Sequence, residues 1–198
     1  MMDNRNKSDI ERFSGRSANW ALVERRNRRT LFRFVGASNE EVWMMAVGEV
    51  KNGVFIPYSS PPSSWRQQRR SIAELQALAR ARRLFPVREH GIPGWMKKET
   101  IPNGADELLD KRRSIVDFVA KKWGTVFIAD TDSYNEAMND AAEEFGVSSS
   151  VVRKLVAQHL FYGGHPNALV PLSRRMGAKS ALRVLRRQPR VDINGGVR

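Results

Sequence analysis

The sequence holds no cysteine, so disulfides and thiolate metal sites are excluded and the redox character of its compartment leaves no trace in it. Histidine is scarce: His90, His159 and His165 are scattered and lack a ligand-like spacing. Long apolar runs are missing, since none approaches the roughly 20 residues a membrane-spanning helix needs. Residues 1–16 are polar and carry no apolar leader core, so a cytoplasmic location and no membrane partner are expected. Acids are few as well. Against 21 Asp and Glu stand 34 Lys and Arg, a formal net charge of +13. A field of that sign attracts polyanions: DNA, RNA or an acidic membrane surface.

What is present suffices for real cores. The hydrophobic fraction of 41% argues against wholesale disorder, and 198 residues fit one domain or two small ones. Residues 1–19 read as a loose polar tail. From 20 the pattern changes. Arg29-Thr30-Leu31-Phe32-Arg33-Phe34-Val35 alternates charged and apolar residues, and Glu41-Val42-Trp43-Met44-Met45-Ala46-Val47 follows after Gly36-Ala37-Ser38-Asn39. Val54-Phe55-Ile56 comes after Asn52-Gly53, a strong hairpin signal. Tryptophans in this part are expected in the core rather than as a base-stacking platform. The run Ser59-Ser60-Pro61-Pro62-Ser63-Ser64 is a break. Ser71 with Glu74 then forms a capping box for a helix carrying Ile72, Leu75, Leu78 and, near its end, Leu84, with Pro86 as its stop. Arg80, Arg82 and Arg83 fall in its last turns, where the helix dipole favours cations; phosphate contact is the alternative role.

The expected class is α+β: a small antiparallel β domain with one helix over 20–92, a linker over 93–104, an all-α domain over 105–172, and a basic arm over 173–198. The second half opens with a helix over 105–123 closed by Gly124, then Val126-Phe127-Ile128-Ala129. The motif follows at 133–162. Ser133 with Glu136 is the expected cap of a helix burying Met138, Ala141, Ala142 and Phe145. Gly146 stops it, Val147 plugs the space behind the turn, and Ser148 or Ser149 caps a second helix burying Val152, Leu155 and Val156. Two steeply crossing helices need a small residue at closest approach, here Ala142, and glycine at the tight turn. This is the pattern of a helix-turn-helix. The outward face of the second helix is then Ser149, Ser150, Arg153, Lys154 and Gln158, side chains suited to phosphates and base edges in a major groove. Beyond it Arg174, Arg175, Lys179, Arg183, Arg186 and Arg187 form the arm expected to lie along a phosphate backbone.

The stretch from 141 to 171 resembles the TnsB/TniA type of DDE transposase, the family related to the transposase of phage Mu. Gly163 and Pro166-Asn167-Ala168-Leu169-Val170-Pro171 match its most specific signature, and the order of elements is similar over about residues 28–180. The resemblance implies a bacterial, nucleoid-associated protein whose partners are double-stranded DNA at transposon-end repeats and other transposition proteins. It also implies that the catalytic domain, with its three carboxylates and magnesium, lies outside this chain, which ends at Arg198 within what resembles a linker. No catalytic residue, metal site, cofactor or enzymatic activity is expected of these residues. Two other functions fit the residues: a stand-alone helix-turn-helix transcriptional regulator binding a palindrome as a dimer, and an interaction adaptor using the strand-rich part.

Overall fold

A computed structural model describes residues 19–25, 28–51, 54–87, 106–124, 126–128, 130–165 and 167–170. The strands are β1 (Asn19–Arg25), β2 (Arg28–Ala37), β3 (Glu41–Lys51), β4 (Val54–Pro57), β5 (Arg69–Ser71) and β6 (Leu84–Val87). The helices are α1 (Ile72–Arg80), α2 (Asp106–Trp123), α3 (Thr131–Phe145) and α4 (Ser149–Phe161), with single 3-10 turns at Trp65–Gln67 and Val126–Ile128. The fold is mixed α+β. No helix among the described residues is long and apolar enough to cross a membrane.

β3 explains the layering. It is buried at every position from Val42 to Gly48, so both of its faces must be covered. Successive side chains point to opposite faces of a strand. Trp43, Met45 and Val47 join Leu31 and Val35 in a cluster with the helical residues Ile128, Tyr134, Met138 and Val156. Val42, Met44 and Ala46 join Phe32 on the other face with Ile72, Leu75 and Leu84. The sheet is therefore a middle layer, with α1 on one side and the α2–α4 helices on the other. Gly36 sits at a register shift between β2 and β3, where an added Cβ would lie 3.3 Å from the Ile128 Cδ1 atom. The missing side chain lets the 126–128 turn settle on the sheet.

All pairings are antiparallel, in the order β4-β3-β2-β1-β6, with β5 on β3. The expected hairpin is consistent with Lys51 pairing Val54, while Asn52 and Gly53 lie outside the described residues. The Ser71 cap also forms, its hydroxyl accepting the Glu74 N–H at 3.1 Å. Helix α1 is shorter than expected, however. It ends at Arg80, Arg82 turns the chain at φ 54°, and Leu84 opens β6 opposite Leu22. Pro86 is thus a strand residue, not a helix stop. It is tolerated because β6 is at the sheet edge, where a missing N–H need break no ladder bond. Of the expected tail at 1–19, Asn19 instead opens β1, and residues 1–18, the expected linker at 93–104 and the arm from 173 onward lie outside the described residues.

Candidate functional site

α3 and α4 meet through Gly146, Val147 and Ser148. Gly146 adopts a left-handed conformation, φ 61° and ψ 42°. The Val147 N–H donates to the Ala142 carbonyl at 3.0 Å and the Gly146 N–H to the Glu143 carbonyl at 3.3 Å, which together satisfy the last carbonyls of α3 in a Schellman turn. Val147 packs against the core behind the turn, and α4 buries Val152, Leu155 and Val156. On α3 the alanines with no exposed surface are Ala137 and Ala141; Ala142 is half-buried. The start of α3 also differs from expectation. Asp130, not Ser133, is the cap, its carboxylate accepting the Ser133 N–H at 2.8 Å, so the helix begins earlier. That bond holds the Asp130 carboxyl below its usual range.

The expected reading face divides in three. Ser150 and Lys154 are exposed, with Val151 between them at 43% exposure, and Ser149 is half-buried. Arg153 is half-buried and turned toward α3: its guanidinium donates to the Asn135 Oδ1 atom at 3.0 Å and lies 5.5 Å from the centre of the Tyr134 ring. Gln158 is only 5% exposed, and its amide donates to the Ala168 carbonyl. The expectation that Gln158 faces outward is therefore wrong. The Asn167-Ala168-Leu169-Val170 segment folds back under the helices, where Arg112 donates to the Leu169 carbonyl at 2.9 Å and Arg113 to Asn167 Oδ1 at 3.3 Å. Ala168, Leu169 and Val170 are buried, so a buried polar partner is needed for their carbonyls, and Gln158 supplies one.

A cleft of about 900 Å³ runs beside α4. One wall is the 59–67 segment leading out of the sheet; the other carries Arg153, Lys154 and Tyr162. Tyr134 forms part of its lining. Its ring stacks on Phe127 at 6.0 Å and meets the edge of Trp65 at 6.4 Å. The Arg66 guanidinium lies 3.8 Å from the same ring, and its Nη2 donates to the Asp130 carbonyl at 3.3 Å. Burial, helped by the neighbouring Arg153 charge, pushes the Arg66 pKa down. Burial pushes the Tyr134 hydroxyl up, against the opposing pull of the two arginines. Among the described residues lining this cleft are Arg66, Arg69, Arg153 and Lys154, and no Asp or Glu.

Sequence reasoning missed Arg66 because it read 59–64 only as a break. The signal available was the Trp65-Arg66-Gln67-Gln68-Arg69-Arg70 run that follows. Of the two expected core tryptophans, Trp43 is buried, while the side chain of Trp20 lies outside the described residues; Trp65, which is not among them, is buried too. Arg174, Arg175, Lys179, Arg183, Arg186 and Arg187 lie outside the described residues. Among the described residues no group of three His, Asp or Glu could hold a metal ion. No protein-family model matches the chain, and no curated protein is similar enough to count as a relative.

Proposed function

We propose that α3 and α4 form a helix-turn-helix that binds double-stranded DNA sequence-specifically, serving as the recognition region of a TnsB-like transposase at transposon ends. What carries this reading is the three-residue turn through left-handed Gly146, followed by a helix whose exposed side presents Ser150 and Lys154 and which contains no acid. In this arrangement the N-terminal half of α4 enters the major groove, and the basic arm after 172 follows the backbone. Arg153 braces α4 against α3 through Asn135, which leaves Lys154 as the leading contact on that helix. No strand-transfer chemistry is assigned to these residues.

Selection from a random-sequence duplex pool, followed by titration, tests this. A consensus site should emerge. Lys154→Ala should either weaken all duplexes alike and reduce the salt slope by about 1, if it meets phosphate, or lose about 1–3 kcal/mol on the selected site alone, if it meets a base. Failure to retain any duplex at low salt would overturn the reading. A selected palindrome with half-sites one helical turn apart would move the assignment to a dimeric regulator.

A further inference from the structure

The cleft beside α4 joins the two parts of the fold, and its chemistry is one-sided. Two guanidinium groups, Arg66 from the sheet side and Arg153 from α4, converge on one tyrosine ring. Like charges gathered in a partly desolvated place repel unless an anion joins them. Asp130 answers that charge only in part: its carbonyl accepts the Arg66 Nη2 bond and its carboxylate attracts Arg66, but the carboxylate's own hydrogen bond is spent on the Ser133 N–H. The Arg66 Nε is buried with no hydrogen-bond partner, a costly state for a charged donor. Arg69 and Lys154 add positive charge, although Arg69 also pairs with Glu41 at 3.3 Å. The opposite wall is lined with exposed hydroxyls, at Ser59, Ser60, Ser63 and Ser64.

We propose that this cleft receives a sugar–phosphate strand of duplex DNA, so that the sheet part of the protein clamps the backbone flanking the helix in the groove. The proposal rests on the helix-turn-helix reading and extends it to a surface that reading does not need. A helix lying in a major groove about 12 Å wide is bordered on each side by a phosphate strand. The cleft lies where one of these strands passes, because Lys154 belongs both to the exposed side of α4 and to the cleft wall. Its successive exposed hydroxyls suit a repeating polyanion. Arg66, set over the Tyr134 ring and held by the Asp130 carbonyl, offers its terminal N–H groups to a phosphate oxygen, and the serines offer hydroxyls to the next.

The test uses the whole chain and a random-sequence duplex, read by fluorescence anisotropy across a salt series. Ser60→Glu/Ser63→Glu places two acids on the exposed wall. The control Ala73→Glu/Ala77→Glu makes the same charge change at exposed positions of α1, which do not line the cleft. The wall variant should lose about tenfold or more in affinity and the control markedly less, and Arg66→Ala should reduce the salt slope by about 1. Melting temperatures verify that each variant folds; if Arg66→Ala does not, the serine pair decides alone. Equal losses in wall and control variants, while the wild type still binds duplex, would overturn the clamp and leave the helix-turn-helix reading standing. No duplex binding by the wild type would remove both. Inorganic phosphate at matched ionic strength is the second probe. Phosphate binding weakened by the wall variant, with duplex binding unaffected, would make the cleft a small-anion site and overturn the proposal.

Discussion

α3 and α4 are neighbouring helices of similar length, built on opposite plans. α3 carries Asp132, Glu136, Asp140, Glu143 and Glu144 with no basic residue, while α4 carries Arg153 and Lys154 with no acid. α3 is fixed at both ends, by the Asp130 carboxylate and by the Gly146 turn, and Asp140 ties its side to α2 through Lys122 at 2.7 Å and the Trp123 indole at 3.2 Å. These partners hold the Asp140 carboxyl below its usual range, Lys122 first. The start of α4 is left open. The Ser148 hydroxyl makes no cap bond and lies 2.9 Å from that of Ser150. The difference teaches that a helix meant to brace and a helix meant to meet something else are told apart by how their ends and charges are spent. An acidic, fully tied helix is unfit to face a polyanion; a basic one with an unengaged first turn is fit for it.

The comparison breaks most visibly in the core. Met138 of α3 is fully buried, so Met138→Ala should cost about 2–5 kcal/mol in urea unfolding, by lost burial and the cavity left. Val151 of α4 is exposed, and Val151→Ala should change stability by less than about 0.5 kcal/mol. Similar losses at the two sites would mean that α4 is packed as α3 is, and that its outer face is not free for a partner. Next in size is the turn. Nothing lies within 4 Å of a Cβ added at Gly146, so Gly146→Ala tests backbone strain alone and should cost about 1–2 kcal/mol. Gly146→Asn should cost less, since asparagine tolerates the left-handed region. Equal losses for Ala and Asn would place the cost in contacts rather than in φ.

Much of this was legible because it is local. Alternation marked β2, an apolar run marked β3, the Ser71–Glu74 spacing marked α1, and Gly146 followed by an apolar plug marked the turn. What stayed hidden depends on partners distant in the chain. Leu84 continues an apolar helical stripe on paper, but it has Leu22 to pair with, and strand pairing wins over helical propensity once Arg82 turns the chain. Gln158 occupies a helical position that reads as outward until the 167–170 segment folds over it and presents a buried carbonyl. Arg66 and Asp130 are 64 residues apart, so no spacing rule could place them in one cleft. The three-layer arrangement was hidden for a related reason. The unbroken apolar run of β3 shows that both faces are covered, but not by what.

The smallest effect discriminates best between the two helix starts. Asp130 has its folded pKa lowered, chiefly by the Ser133 N–H and then by the Ser133 hydroxyl. A carboxylate of this kind contributes stability that is fully present above its unfolded pKa, about 3.9, and is lost as pH falls through the lower folded value. Asp130→Ala should therefore reduce the melting temperature at neutral pH, and the gap from wild type should close as pH falls below that window. Asp130→Asn retains an acceptor for the cap but no charge, so it should lie between the two at neutral pH and titrate like the alanine variant. The Asp140 contribution is common to all three proteins and cancels in the difference. Ser148→Ala removes a hydroxyl that caps nothing and should leave the melting temperature unchanged at every pH. A pH-independent loss at Ser148 as large as that at Asp130 would show that α4 is capped in solution as firmly as α3, and the contrast between a tied helix and an open one would fail at the end proposed to meet DNA.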